Sequence, residues 1–300
     1  MANFRKNHQR NSNPFTGLTL RVFIIIVILS VLLLGANSFF QNLKTVMIED
    51  SVSNATDPIE RDYLPISDLE LEVVHHKYYS LGYNEQYEIP NWVAYIITRD
   101  ELKIPNVKRY RDYIRDPSVS TQSAHYKDYS NSGYTRGHLA PAGDMAFNKT
   151  AMKESFYMSN ITPQKKAFNN GIWKELEENV RDWAFSNERL YVVTGPIVKN
   201  IDLRIGRNDV GVPNSFYKAI LDNSGSEKKT IGFIIPNEKS DQKLENYTVS
   251  IDKIEQETGL DLFSDLYTES SPEFEASFDV KKWKWSNKRH KLRINKWNKE

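Results

Sequence analysis

Ile172, Trp173, Leu176, Val180 and Trp183 recur at steps of one, three, four and three residues, which is the spacing of one face of an α-helix. The pattern predicts an amphipathic helix over roughly Asn169 to Phe185. Such a helix must lay its apolar edge on another layer of structure. Its polar edge carries Asn169, near the N-terminus, then Glu177 and Arg181. Glu177 lies eight residues beyond Asn169, about two turns and ~12 Å along the axis. Helical side chains lean toward the N-terminus, which brings Glu177 closer to Asn169 without placing both on one ion. Arg181 follows Glu177 at i+4 and can pair with it or face a phosphate.

Two polar blocks precede this helix: Tyr134-Thr-Arg-Gly-His-Leu-Ala-Pro-Ala-Gly-Asp144 and Ser159-Asn-Ile-Thr-Pro-Gln164. His138 is a side chain that can take a proton from water near neutral pH. Arg136 can hold a phosphate through two parallel hydrogen bonds. Oxygen ligands suit magnesium, which keeps most of its own waters and needs few protein donors. Together these groups fit hydrolysis of a phosphodiester with one metal ion, with Asn169 as the direct ligand and Glu177 acting through a metal-bound water. Taken singly, Asn160 and Asn169 would be ordinary turn and helix-cap residues, and Glu177 with Arg181 a surface ion pair. Their mutual spacing raises them above that.

The same residues resemble the DNA/RNA non-specific endonucleases of the ββα-metal, or His-Me finger, class. The family pattern is Asp-Arg-Gly-His followed by Leu-Ala-Pro, and here it reads Thr135-Arg136-Gly137-His138-Leu139-Ala140-Pro141. Ser-Asn-Ile-Thr-Pro-Gln, then Asn169-x-Gly-x-Trp173 and Leu176-Glu177, follow in the family's order. Weaker matches at Asn91–Tyr95, Val193–Pro196, Val212–Lys218 and Ile254–Leu260 extend the likeness over roughly His75 to Phe263. The resemblance implies His138 as general base, Asn169 as ligand to magnesium (or manganese in its place), and Glu177 as a residue behind the metal's waters. It implies Asn160 as the residue that orients the site, and Arg136 and Arg181 as phosphate binders. An upstream arginine is also implied. Arg111, five residues before Asp116-Pro117, matches best, with Arg115 as its rival. DNA and RNA would be the substrates, 5′-phosphate and 3′-hydroxyl ends the products, and a homodimer is admitted. The rival readings are an inactive nucleic-acid-binding relative and a phosphodiesterase for another substrate. One departure stands out: Thr135 replaces the family's aspartate, keeping a hydrogen-bond acceptor but bringing no charge to the metal's waters.

The 300 residues contain no cysteine, which rules out disulfides and cysteine-zinc sites. The net charge of +1 does not argue against nucleic acid, since a basic groove can hide within a neutral total. Arg5, Lys6, Arg10 and Arg21 occupy a basic segment, residues 1–21, ahead of the apolar run Val22 to Phe40, and no acidic residue occurs before Glu49. A span needs ~20 apolar residues, and the basic flank places residues 1–21 in the cytoplasm. The expectation is a transmembrane signal-anchor at 22–40 with the remainder outside the cytoplasm. Secretion after signal cleavage near Ala36-Asn37-Ser38 is the alternative.

Residues 41–72 read as linker and 73–270 as the nuclease-like domain. Strands are expected at Trp92–Thr98, Phe156–Ile161, Leu190–Val198, Phe216–Leu221 and Thr230–Ile235. A helix is expected at Ile251–Thr258, stopped by Gly259. The order suggests an α+β domain with an antiparallel sheet core, packed helices and, by the resemblance, a ββα-metal motif. His75-His76 reads as structural. Residues 271–300 are rich in lysine and arginine, interleaved with Trp283, Trp285 and Trp297. Such a tail either tracks a phosphate backbone and stacks on bases, or is solvated, or lies on anionic lipid.

Overall fold

Runs of β-branched and aromatic residues form strands because such side chains pack well on a pleated surface, and in this chain they pair into one large antiparallel sheet. A computed structural model describes residues 26, 29–36, 39, 61–224, 228–266 and 278–299. The chain divides into two units, Met1–Asn54 and Ala55–Glu300. In the first, residues 26, 29–36 and 39 are helical, and Leu29 and Val31 to Leu34 are exposed. Among the described residues no helix is long and apolar enough to cross a membrane. The rest of the expected 22–40 span lies outside the described residues, as do residues 41–60 of the expected linker.

In the second unit the elements run β1 (Glu72–His75), β2 (Tyr79–Asn84), β3 (Ile89–Thr98), α1 (Arg99–Lys103), β4 (Thr135–His138), α2 (Lys149–Glu154), β5 (Ile161–Gln164), α3 (Lys174–Asn187) and β6 (Arg189–Pro196). They continue with β7 (Arg204–Ile205), β8 (Val210–Gly211), β9 (Ser215–Asp222), β10 (Lys229–Pro236), β11 (Thr248–Val249), α4 (Ile251–Thr258) and α5 (Asn287–Asn295). The main sheet has seven antiparallel strands in the order β1-β2-β3-β6-β9-β10-β11, while β4 pairs with β5 and β7 with β8 as two separate ribbons.

Successive residues of a strand point to opposite faces, and both faces of the central strands are covered. Trp92, Ala94, Tyr191, Val193, Tyr217, Ala219 and Leu221 pack with Ile251 and Ile254 of α4 on one side. On the other, Phe216 stacks on Phe168 at 5.2 Å and Phe233 on Trp183 at 6.2 Å. The apolar edge of α3 therefore rests on the sheet, as its periodicity requires. Gly259, in the left-handed region at φ 72°, ends α4 where the sequence placed the stop.

Several expectations are corrected. The strand expected at Phe156–Ile161 starts later, because Phe156 and Tyr157 turn back to donate to the carbonyls of Lys153 and Glu154. Only Ile161–Gln164 extends. The helix expected from Asn169 opens as a π-helical turn, Phe168–Trp173, with Gly171 out of helical geometry (φ −103°, ψ −110°). Regular α-helix begins at Lys174. The domain also reaches further upstream than Val73: Tyr63 is buried in the core, and Ile66 exchanges 2.9 Å backbone hydrogen bonds with Asp261.

The basic tail is a docked appendage. Trp183 donates its indole N–H to Lys284 O at 2.8 Å, and its ring lies 4.9 Å from that of Trp283 and 5.3 Å from that of Trp285. Trp283 and Trp297 are buried. Covering apolar area contributes roughly 25 cal/mol per Å², and these rings gain it against the protein, so they are not free to stack on bases or lie on lipid.

Candidate active site

β4 is the axis of the site. Its register with β5 is fixed through Thr135↔Gln164, Arg136↔Pro163, Gly137↔Thr162 and His138↔Ile161. Pro163 lacks an N–H, which a two-stranded ribbon tolerates because it offers edge positions. The chain leaving His138 is held by Asn160. Its Oδ1 accepts from Ala140 N–H at 2.9 Å, and its Nδ2 donates to the carbonyls of Ala140 and Ser155, both at 2.9 Å. Asn160 is fully buried with its amide spent on backbone. It sets the course of the chain after His138 and does not face the site itself.

His138 lies at the end of β4, 9% exposed, between two aromatic walls. The Phe156 ring meets it edge-on at 4.7 Å and the Tyr113 ring at 5.7 Å. Its Nε2 is buried and unpartnered. Burial, with a further contribution from the charge of Arg109, holds the imidazole well below its ordinary range, at about 3, because a charged ring there would lose its hydration. His138 is therefore neutral across the physiological range, with a nitrogen free to accept a proton.

Two arginines stand at this pocket. Arg136 shares the His138 face of β4, lies 4.9 Å from the Tyr113 ring centroid and donates to Tyr126 O at 3.2 Å. Arg109 stands 5.2 Å from the Phe156 ring centroid, and its charge is the one felt at His138. Arg111 is exposed two residues further on, and Arg115 is bound to Gln122. The sequence reading missed Arg109, whose role depends on where Phe156 folds. The structural reading of His75-His76 holds for His76, which is buried with Nε2 2.8 Å from Asp116 Oδ2.

Asn169 sits at the opposite end of β4. Its Nδ2 donates to Thr135 Oγ1 at 3.0 Å, and Thr135 Oγ1 donates onward to Gln164 O at 2.9 Å. This pair of bonds fixes the amide with Oδ1 turned away from Thr135. The residue that departs from the family pattern thus holds the Asn169 amide. Thr135 and His138 are three residues apart, roughly 10 Å along a strand and on alternate faces of it, so the Asn169 amide meets β4 at one end and the imidazole stands at the other. Among the described residues no group of three or more His, Cys, Asp or Glu side chains is placed to hold a metal ion. A single aimed amide oxygen fits a cation that keeps most of its waters.

Glu177 and Arg181 belong to a third cluster. Arg181 was expected to pair with Glu177 or bind phosphate. Its Nη1 lies 2.5 Å from Asp144 Oδ1 and its Nη2 3.1 Å from Glu178 Oε1, and its charge is also felt at Glu177. The reason is the close passage of the Gly143-Asp144 segment: a Cβ on Gly143 would come within 2.8 Å of Arg181 Nη1. Asp144 is buried and also accepts from Tyr95 Oη at 2.9 Å.

Lys218, fully buried on β9, places its Nζ 4.9 Å from the Trp173 ring centroid and 5.8 Å from that of Tyr95. Burial raises the pKa of Glu177, opposed by the charges of Arg181 and Lys218. Burial lowers that of Lys218, opposed by Glu177 and Asp144. Sequence reasoning passed over Lys218 and Asp144. A lysine in an alternating strand reads as solvent-facing until the second face is known to be covered.

A family model described as DNA/RNA non-specific endonuclease matches residues 66–269. The mitochondrial nuclease EXOG of Xenopus laevis is 34% identical over 227 residues, covering 70% of this chain and 63% of its own length. Nuclease C1 of Cunninghamella echinulata var. echinulata is 35% identical over 204 residues, covering 63% of this chain and 81% of its own. Among solved structures, a crystal structure of an EndoG/EndoGI complex, which addresses EndoG inhibition, matches with a TM-score of 0.60 at 31% identity. It covers 64% of this chain and 86% of that one. The chain spans less than two thirds of the length of the EXOG relative. With the α+β fold, the β4–β5 ribbon and the helix beyond it all falling within the matched residues, the chain belongs to the DNA/RNA non-specific endonuclease family.

Proposed function

We propose that the chain is a metal-dependent nuclease that hydrolyses phosphodiester bonds of DNA and RNA without sequence preference. The observation that carries the reading is the buried, neutral His138, whose unpartnered Nε2 closes one end of β4 while Asn169 is aimed at the other. Nε2 accepts a proton from a water molecule as that water attacks phosphorus in line with the departing 3′-oxygen. Phe156 and Tyr113 exclude bulk water from the imidazole and keep it unprotonated and oriented. Arg136, with Arg109 and the exposed Arg111 behind it, holds the phosphate oxygens. Asn169 Oδ1 would hold a magnesium or manganese ion. Such an ion, when bound, neutralises charge on the phosphate and the leaving oxygen. Glu177 would act behind that ion's waters, and Arg181 fixes the helix to the His138 segment through Asp144. Cleavage on this side of phosphorus leaves 5′-phosphate and 3′-hydroxyl ends.

The basic segment before Val22 supports a second part of the reading, that residues 22–40 tether the domain outside the cytoplasm. An externally added protease should digest the domain on intact cells that produce the full chain, and protection would overturn the tether. Incubating the full chain with supercoiled plasmid and with RNA tests the activity. Both should be cut with magnesium present and neither with EDTA. Cleavage indifferent to EDTA, or no cleavage of either, would refute it.

A further inference from the structure

The family match ends at residue 269, yet the described residues beyond it, 278–299, pack along α3 and the turn that opens it. Arg293 is fully buried and bonds to Glu175 and to the carbonyls of Ser240 and Gln242. Arg289 bridges Glu178 and Asp182. Ser286 N–H donates to Asn179 Oδ1 at 3.3 Å. These contacts anchor the appendage on the body of the helix.

Its last residues reach the turn itself. Lys174 Nζ stands 4.3 Å from the Trp297 ring centroid. Asn298 donates its Nδ2 to Ser240 O at 2.9 Å and to Asp241 Oδ1 at 2.7 Å. Its Oδ1, buried and unpartnered, is pressed against Gly171, where a Cβ would come within 2.7 Å of it. Gly171 is the residue that leaves helical geometry, two places after Asn169. A buried amide oxygen without a partner costs free energy, so the position is held by its surroundings.

We propose that residues 278–299 form a latch, with Trp297 and Asn298 as positioning residues that keep the π-helical turn in the shape that presents Asn169. This rests on the reading of Asn169 as the metal ligand. Residues outside a first coordination sphere commonly change metal affinity by roughly 10–100-fold when removed, and here the support reaches Asn169 through the backbone of its turn. The appendage thereby ties metal affinity to a segment that the family match does not include.

The test uses the full chain with Trp297→Ala and Asn298→Ala together, leaving Arg293 and Arg289 to keep the appendage docked. Amide hydrogen exchange without metal should speed up about tenfold or more across residues 169–174 and stay unchanged in the last two turns of α3. Manganese affinity, titrated with the metal alone, should fall about tenfold. The conservative Trp297→Phe with Asn298 intact should restore both. If the double variant loses its fold, Asn298→Ala alone carries the same expectations at smaller amplitude. Unchanged exchange at 169–174 in a folded variant would overturn the latch, and so would a general loss of stability with manganese affinity intact. If the wild-type chain binds manganese no better than Asn169→Ala, the metal reading beneath the proposal fails. The exchange data then show separately whether the turn was latched.

Discussion

His138 and Asp144 stand six residues apart in one segment and meet burial in opposite ways. The His138 ring is walled by Phe156 and Tyr113, and its Nε2 is given no partner. Asp144 is held by Tyr95 and Arg181, and the Arg181 guanidinium is shared with Glu178. A titratable ring can be buried cheaply if it sheds its charge, whereas buried charges need partners to offset their lost hydration. The first arrangement leaves a reactive atom free. The second spends every group on holding α3 to the segment that carries His138. In this segment the unpaired imidazole is read as the chemical group and the Asp144–Arg181 pair as part of the frame.

The largest effect that can break this contrast is on the paired side. Asp144→Ala leaves the Arg181 guanidinium without its buried partner and should cost about 3–5 kcal/mol of stability. Urea denaturation measures it, and a loss near zero would mean the cluster is not the frame. Next comes the aim of Asn169. Thr135→Val removes the hydroxyl that accepts from Asn169 Nδ2 while keeping the side chain's shape. The magnesium concentration for half-maximal cleavage should rise about tenfold, with the saturated rate little changed. An unchanged magnesium requirement would show that this bond does not orient the amide.

Smaller effects are expected from pH on the unpaired side. Because His138 is held at about 3, kcat/KM should not fall as pH drops through the ordinary histidine range near ~6.5. Removing a positive charge makes protonation easier, so Arg109→Ala should move the acid limb to higher pH, by less than about one unit. A limb that moves lower would contradict the field assigned to Arg109. The same depressed value bears on stability. Above about 6.5 the ring is neutral folded or unfolded, and between about 6.5 and 3 only the unfolded chain takes the proton. Stability should therefore decline on acidification through that window, and His138→Phe should flatten the decline in urea titrations at stepped pH.

Much of the candidate site could be marked in the sequence because its residues lie close together along the chain. His138, Arg136 and Asn169 were marked by residue type and spacing, and the apolar edge of α3 by its period. What could not be read depended on contacts between distant segments. Thr135 looked like a lost charge until the fold brought Asn169 to its hydroxyl. Arg181 read as the i+4 partner of Glu177, but Asp144, delivered by a separate loop, offers a buried carboxylate at 2.5 Å. The π-helical turn kept the helical spacing of Ile172 and Trp173 and hid the departure at Gly171. The terminal tryptophans, set among lysines, carried the composition of a nucleic-acid tail. Contacts with Trp183 and Phe233 show why Trp283 and Trp285 turn inward.

The central claim is that His138 takes the proton from the attacking water. Single-turnover nicking of supercoiled plasmid by the full chain at saturating magnesium, wild type against His138→Ala, tests it most directly. The rate should be lower by ~10²–10⁴ in the variant, with its circular dichroism spectrum and magnesium affinity unchanged. A variant that cuts within a few-fold of the wild-type rate would contradict it.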